Sequence, residues 1–588
     1  MKLKCKQLKR IPLIASLAFL VGCTTTPSPK EFSSDTDQYA YVKEYMRWYI
    51  KKQMNDNEIM GLSVALVDDQ KIVWQEGFGY ADKSNGSKAT PQTRYCAGSI
   101  TKLFTAMATM KLVEEGKINI DKPFRKYLPE FSIKSRFGST DGITPRTIMT
   151  HHSGIPGDWG NTEFGINPLH YTEYVKSIKN EYVAYPPNTI MSYSNLAITL
   201  LGHAAEKVSG MRYDRYVDKV LLSPLEMNHS DLDMKLEGKG ASKSYAESKE
   251  VEEYADGLVP AGALHISVEE LSHLAMMINA NGIYKHHKVL NASTLKKMFR
   301  VQNKNVAFDM GEEIGLGYFI DKNILGSKDV AYHHGGNTIA QNAYFIVSPH
   351  SKLGVVVMAN TEGTDATEIA RELLKKAWEA KTGKKVPKQK LVVQHDSDFT
   401  GIYATALGKV KIEQNSDASY TVLSDNGEFK LYKTKNNTYK LKYKLLGFIP
   451  MGVDMLDKIE LYTEDIKGKH TIVISMLGNK GIVGVKVEKP THIPEIWKSY
   501  VGHYKILNNF EMKEFQIKDV EFVIEEGYPL VKTKYESGET STIILKPIND
   551  NEAIIEGLGR SMQETINFKD GIFYAQGLRF EKIDEVVK

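Results

Sequence analysis

The sequence predicts an α+β fold over residues 38–381 followed by an all-β C-terminal region, and three observations carry that expectation. β-rich runs stand at both ends of the first region and enclose a helix-rich middle. A stretch from Lys381 to Lys390, with Gly383, Pro387 and five lysines, reads as a linker. Beyond it the texture changes to short alternating segments, the pattern of half-buried strands.

Taken in order, Met1 to Arg10 carries Lys2, Lys4, Lys6, Lys9 and Arg10, and the apolar run Ile11 to Gly22 ends at Cys23. That is a charged segment followed by a short hydrophobic one, the layout of a secretion signal over 1–22. A run of about twelve residues rising 1.5 Å each falls short of a hydrocarbon core of about 30 Å, so no permanent span is expected there. Thr24 to Asp37, rich in Thr, Ser and Pro, reads with Cys23 as a flexible tether over 23–37. Leu62 to Val67 and Lys71 to Phe78 flank Asp68-Asp69-Gln70 as a hairpin. Leu103, Phe104, Met107, Met110 and Val113 recur at helical spacing between Thr101 and Glu115, with Gly116 placed to stop the helix. Tyr344 to Val347 and Val355 to Met358 are adjacent strands, and Ile369, Leu373, Leu374, Ala377 and Trp378 line one face of a closing helix.

In the tail, Phe429 to Lys433 and Tyr439 to Tyr443 flank Asn436-Asn437 as another hairpin, and Thr471 to Ser475 and Ile482 to Val487 continue the theme. Phe399-Thr400-Gly401-Ile402-Tyr403 and Tyr500-Val501-Gly502-His503-Tyr504 share aromatic-x-Gly-x-Tyr. These strings suggest an internal repeat, with one antiparallel barrel over 391–490 and a second over 495–588.

Composition narrows the function. Seventy-six Lys and Arg against seventy-two Asp and Glu leave a net charge of +4, too little to expect a nucleic-acid partner. The three cysteines, Cys5, Cys23 and Cys96, form neither zinc-ligand spacings nor a disulfide framework. His-His pairs begin at 151, 286 and 333, but neighbouring strand residues point to opposite faces, so no metal or other cofactor is expected.

The chain has no Gly-x-Ser-x-Gly elbow, no His-Glu-x-x-His and no P-loop. It does have Ser99-Ile100-Thr101-Lys102 at the mouth of the predicted helix. A nucleophilic hydroxyl needs a base, and residue i+3 on a helix lies one turn along the same face, so Lys102 can hold its amine beside Ser99. Lys102 must then be neutral, which burial or nearby positive charge brings about. Ser-x-x-Lys recurs at Ser293-Thr294-Leu295-Lys296, read as an ordinary helix start with a solvated lysine. Ser99 has companions: Tyr193-Ser194-Asn195, the only Tyr-x-Asn among thirty-one tyrosines, and His333-His334-Gly335-Gly336 ahead of the Tyr344 strand. A phenol relays protons, an amide holds a carbonyl, and glycines admit a close backbone approach. The bland readings are Ser99 as an N-cap, Tyr193 and Asn195 as a hydrogen-bonded pair with Asn195 capping the next helix, and Cys96 as a small packed residue.

Together, in this order, the three motifs resemble the serine β-lactamase and penicillin-binding-protein superfamily, and most of all its class C branch, which includes esterases and D-amino-acid peptidases and carboxypeptidases. Thr150-His151-His152-Ser153-Gly154, Ser223-Pro224-Leu225-Glu226-Met227 and Pro260-Ala261-Gly262-Ala263-Leu264 agree with it. The resemblance implies a β-lactamase-like domain over 38–381, an antiparallel sheet flanked by helices with an all-helical subdomain, and, more faintly, lipocalin-like barrels after it. It implies Ser99 as nucleophile, Lys102 as general base, Tyr193 in the proton relay and Asn195 binding a substrate amide. His333 and Gly335 would lie at the substrate edge, with Ser99 and Gly336 amides as the oxyanion hole. His334-Gly335-Gly336 fits the same pattern one residue on. β-Lactamases of this branch usually have lysine where this chain has histidine, which argues against potent β-lactamase activity.

Leu20-Val21-Gly22-Cys23 is similar to the lipobox of bacterial lipoproteins, implying lipid on Cys23 and an exported enzyme held on a membrane, facing periplasm or cell exterior. Thr24 in place of aspartate implies the outer membrane in a Gram-negative host. The expected activity is acyl-enzyme hydrolysis of an amide, such as a D-amino-acid peptide, or of an ester. A weak β-lactamase or penicillin-binding carboxypeptidase is one alternative, and a retired catalytic fold that binds cell-wall peptides or a protein partner is another. Substrate and oligomeric state are left open.

Overall fold

A computed structural model describes residues 27–583, apart from 161–162, 253, 327–328, 388–396, 426, 446–448, 452–458, 477–478 and 513–514. The signal-like segment and Cys23 lie outside the described residues. Among the described residues no helix is long and apolar enough to cross a membrane.

The first region is built on an antiparallel sheet of eight strands. Their order is Glu313–Ile314, Phe319–Asp321, Ala331–Asn337, Asn342–Ser348, Leu353–Ala359, Gly61–Asp68, Lys71–Asp82 and Ser87–Lys88. The two ends of the region meet where Gly61–Asp68 pairs with Leu353–Ala359, Leu66 opposite Val355. That pairing is why β-rich sequence brackets a helical middle.

Strand alternation sorts the side chains into two cores. Leu62, Val64 and Leu66 join Val355 and Val357 under the helices Ala40–Asp56 and Ala366–Thr382. Ala65 and Val67 join Val356 and Met358 on the opposite face, against the inserted helices. Of these, Thr101–Glu114 is buried on every side from Thr101 to Met110, so its spacing is that of a central helix and not of an amphipathic surface one. Its hydroxyls are satisfied internally: Thr105 donates to the Pro260 carbonyl at 2.5 Å and Thr109 to that of Thr105 at 2.8 Å. The helix Asn195–Ser209 is capped by Ser194, whose Oγ accepts from the Ala197 amide at 2.9 Å, leaving Asn195 free of that duty.

Among the described residues two closed antiparallel barrels follow, each with a ring of eight strands, the first carrying a ninth strand, Ile449–Met451, on Tyr439–Leu445. The first closes through the pairing of Gly427–Lys433 with Tyr439–Leu445, and the second through Gly502–Ile506 with Leu578–Lys582. Each aromatic-x-Gly-x-Tyr string runs into the first strand of a barrel, Gly401–Thr405 or Gly502–Ile506, and Tyr403 and Tyr504 are buried in the two interiors. The barrels share an apolar seam formed by Ala404, Val485 and Val487 against Val523, Tyr528 and Leu530. The second barrel also meets the first region directly. Arg136 pairs with Glu552 at 2.9 Å, and Leu558 packs on Ala184, Tyr185 and Ile190.

Candidate active site

Ser99 lies in a short 3₁₀ turn, Gly98–Ile100, that runs straight into the helix Thr101–Glu114. Gly98 and Ile100 are buried while Ser99 keeps access to solvent. Thr101 fixes the turn by donating to the Gly98 carbonyl at 2.6 Å and accepting from the Leu264 amide at 3.0 Å. Gly98 has φ +52° and faces the Asn337 backbone, 2.9 Å from where a Cβ would stand to the Asn337 nitrogen. Only glycine meets both demands.

Lys102 is 1% exposed. Its Nζ donates to Ser99 Oγ at 2.9 Å and to the Ala261 carbonyl at 2.8 Å. Burial, reinforced by the Arg560 cation, pulls its ammonium down to about 7, against the pull of Asp256, Asp158 and Glu163. Near neutral pH it is therefore available as an amine that can accept the serine proton.

Tyr193 is hydrogen-bonded to Ser99, and desolvation holds its phenol well above the ordinary tyrosine value. Lys102 Nζ sits 4.9 Å from the centre of its ring. The ring stacks on His151, centroids 4.2 Å apart and planes at 29°. His151 Nδ1 accepts from the Ser194 amide at 3.1 Å, which fixes its tautomer, and burial keeps it neutral. The Ser192 amide donates to the His151 carbonyl at 2.8 Å, so one residue with φ +59° grips the tyrosine segment on both sides.

Asn195 donates its side-chain amide to Asp158 at 2.7 Å and its backbone amide to the Gly157 carbonyl at 2.9 Å. The two histidines of the strand Ala331–Asn337 separate as alternation requires. His333, expected at the substrate edge, faces away from Ser99: its Nδ1 is 2.9 Å from Tyr344 Oη, beside the buried Arg371–Asp321 pair. His334 is on the face toward Tyr193, 6.3 Å from it between ring centres, with Nδ1–H donating to the Gly335 carbonyl at 2.6 Å. Burial and Lys102 bring His334 down to about 3, so it is neutral. The motif thus has His334 at its head and Gly336 as its glycine. A Cβ at Gly336 would stand 1.8 Å from the Ala97 carbonyl oxygen and 3.1 Å from the Ser99 nitrogen. The register shift of one moves the amide that follows the motif from Gly336, where it was expected, to Asn337, the residue against Gly98. Gly335 keeps its place on this strand, under the Tyr344 ring.

The second Ser-x-x-Lys is a helix start, Ala292–Met298, with Lys296 exposed. Cys96 is buried, with Sγ 3.6 Å from the Gly262 carbonyl.

A model of the β-lactamase family matches residues 46–377. The chain belongs to the β-lactamase family. Members of this family are in general serine hydrolases. Relatives include Protein flp of Staphylococcus aureus strain MRSA252, 24% identical over 336 residues, covering 55% of this chain and 64% of flp, so the chain spans under two thirds of that relative. Beta-lactamase-like protein 2 of Dictyostelium discoideum is 28% identical over 245 residues, covering 39% of this chain and 43% of that protein. Among solved structures, the octameric penicillin-binding protein homologue from Pyrococcus abyssi is 26% identical with a TM-score of 0.52, covering 75% of this chain and 99% of its own. SurE superposes with a TM-score of 0.56 at 18% identity, covering 77% of this chain and all of its own, a likeness of fold.

Sequence reasoning missed several residues of this β-lactamase-family site. His151 belongs to Thr150-His151-His152-Ser153-Gly154, but nothing in that spacing shows that its ring carries Tyr193. Asp158, Glu163 and Asp256 belong to loops without a motif. Arg560 and Glu564 come from the second barrel, more than 350 residues from Tyr193, and no local pattern marks them.

Proposed function

We propose that this chain is a serine hydrolase that forms an acyl-enzyme at Ser99 with an amide or ester, a D-amino-acid peptide among them. The observation that carries the reading is the buried Lys102 amine, 2.9 Å from Ser99 Oγ and depressed to about 7. Lys102 takes the Ser99 proton as Oγ attacks the acyl carbon. The Ser99 and Asn337 amides receive the oxyanion, an arrangement in which one donor typically contributes about 10²–10³ in rate. Tyr193, protonated and bonded to Ser99, passes a proton to the leaving group and then helps to activate water for deacylation. Asn195 presents its carbonyl to a substrate N–H while its NH₂ is held by Asp158.

His334 supports an uncharged acyl group over a lactam. A neutral imidazole at about 3 gives no standing cation for a lactam's carboxylate. SurE, 18% identical, was solved with D-Leu, and a D-amino-acid group is the ligand class that this reading adopts from it. The lipobox-like Cys23 supports an enzyme exported and tethered to a membrane by lipid.

The test is intact-protein mass spectrometry of a form lacking residues 1–23 after incubation with a fluorophosphonate and, separately, a penicillin. A stoichiometric fluorophosphonate adduct on Ser99, absent in Ser99→Ala, is expected. An adduct that persists in Ser99→Ala removes Ser99 from the mechanism.

A further inference from the structure

The loop Glu556–Glu564 of the second barrel lies against the Gly157-Asp158 and Tyr185–Tyr193 segments beside Ser99. Tyr185 Oη donates to the Gly559 carbonyl and accepts from the Gly559 amide, both at 3.0 Å. Beyond this clamp the Arg560 guanidinium lies 5.3 Å from the Tyr193 ring centre and bonds both carboxylate oxygens of Asp158, with contacts at 2.9, 2.7 and 2.5 Å. Glu564, from the same loop, accepts the Gly157 amide at 2.9 Å. One short segment, Gly157-Asp158, is therefore gripped twice by the barrel. On its other side it makes both polar contacts that fix Asn195, through the Gly157 carbonyl and the Asp158 carboxylate.

We propose that Arg560 is a positioning residue of the hydrolase site, acting from the second barrel through Asp158 on Asn195 and through its charge on Lys102. The inference rests on the function proposed above. Two separable effects follow from its chemistry. A planar fork meets Asp158 at two oxygens and so fixes the carboxylate plane that Asn195 reads, which a lysine ammonium does not reproduce. A fixed cation favours the amine form of Lys102, which a lysine at 560 does reproduce.

The electrostatic effect has a bounded range. Lys102 Nζ and the Arg560 guanidinium are no further apart than the sum of their distances to the Tyr193 ring centre, 4.9 and 5.3 Å. The other charged or titratable groups around Lys102 are Asp158, Glu163 and Asp256, which favour its ammonium, and His151, His334 and Tyr193, all uncharged near neutrality. The Arg560 side chain is 44% exposed, so solvent screens it. At that separation and exposure its removal raises the Lys102 midpoint by about half a pH unit, a roughly threefold loss of rate below pH 7.

The experiment measures fluorophosphonate acylation of Ser99 from pH 5 to 9 in the chain lacking residues 1–23 and in its Arg560→Met, Arg560→Lys and Asp158→Asn variants. Arg560→Met should move the acid midpoint up, Arg560→Lys should leave it in place, and Asp158→Asn, which removes an anion, should move it down. For the aiming of Asn195, hydrolysis of an aminoacyl p-nitroanilide should show KM raised in Arg560→Lys with the midpoint kept. A merely structural role would lower the amplitude at every pH and leave the midpoint fixed. Equal midpoints in wild type and Arg560→Met would overturn the proposal; should that variant not fold, an unmoved midpoint in Asp158→Asn would do so. Absence of labelling in the wild type would instead overturn the parent reading.

Discussion

Lowering the pH should slow acylation of Ser99 along a single-proton limb centred near pH 7. Lys102 acts as a base only when unprotonated, and its pKa of about 7 makes the amine fraction about one half at pH 7 and about 1% at pH 5. The rate should therefore fall about 100-fold between pH 8 and pH 5, tenfold per unit at the lower end. His334, at about 3, and His151, held well below its ordinary value, stay neutral across the range. Tyr193 stays protonated throughout. Asp256, raised to about 6 by burial, titrates inside the window, and burial beside the Asp158 charge holds Glu163 well above the ordinary carboxyl value as well. Protonation of Asp256 removes an anion that favours the ammonium, flattening the limb below pH 6 without reversing it.

The sign for stability is separate. Lys102 is depressed in the fold, so between about pH 7 and the ordinary lysine value of 10.5 the unfolded chain binds the extra proton. Stability from this group rises with pH across that window, and below it the full cost of burying an ammonium remains. Lys102→Met should thus lose acylation by about 10²–10⁴-fold and melt at a higher temperature than wild type at pH 6. The assay is the second-order rate of fluorophosphonate labelling, read by mass spectrometry, alongside thermal melts. A rate at pH 5 within tenfold of that at pH 8, or a midpoint near the ordinary amine value, would refute the assignment of Lys102 as base.

Two further outcomes are expected. Gly336→Ala should lower kcat/KM by at least about 100-fold and cost roughly 1–3 kcal/mol of stability, because its Cβ would meet the Ala97 carbonyl, which is backbone and cannot swing away; wild-type kinetics in a folded variant would contradict the register described for this strand. Cys23→Ala should abolish incorporation of labelled palmitate and release the protein from the membrane fraction, and unchanged labelling would rule out Cys23 as the lipid site.

The parts legible in sequence were those written in local spacing. Ser99 and Lys102 share a helix turn, so their contact follows from the i, i+3 relation alone. The sheet was legible because Leu62 to Val67 and Val355 to Met358 are valine-rich and, Ser63 apart, apolar on both faces, and such strands need partners. The strand histidines show where spacing stops helping. His333 and His334 each satisfy the motif, and the choice depends on which face of Ala331–Asn337 looks toward Ser99. That is set by pairing with Asn342–Ser348, where Gly336 opposite Ala343 lies flush against Ala97. Asn195 had two readings, cap or ligand, and they were separated by its neighbour: Ser194 takes the cap. Arg560 was illegible because its role is created by a domain contact, and nothing within its own loop distinguishes it from a surface arginine.

That contact changes where the active site ends. The family match stops at residue 377, yet Gly157-Asp158, which orients Asn195, is held by side chains at 560 and 564. Glu564 is buried and raised to about 7, and its bond to Gly157 and the 2.7 Å bond from Gln576 account for both of its oxygens. A barrel that merely shaded the cleft would not need a buried carboxyl aimed at the backbone next to Asp158, because burying one costs free energy that a neutral amide at the same place would spare. The same loop leaves Arg560 as the cation nearest Tyr193 after Lys102, and that cation is already matched by Asp158. With His334 neutral and Arg560 bonded to Asp158, neither of these two groups offers an incoming anion a free positive charge. In the proposed hydrolase, selection among acyl groups then falls to shape and hydrogen bonds, and both are set in part by the second barrel, which makes that barrel a component of the candidate site and not an appendage to it.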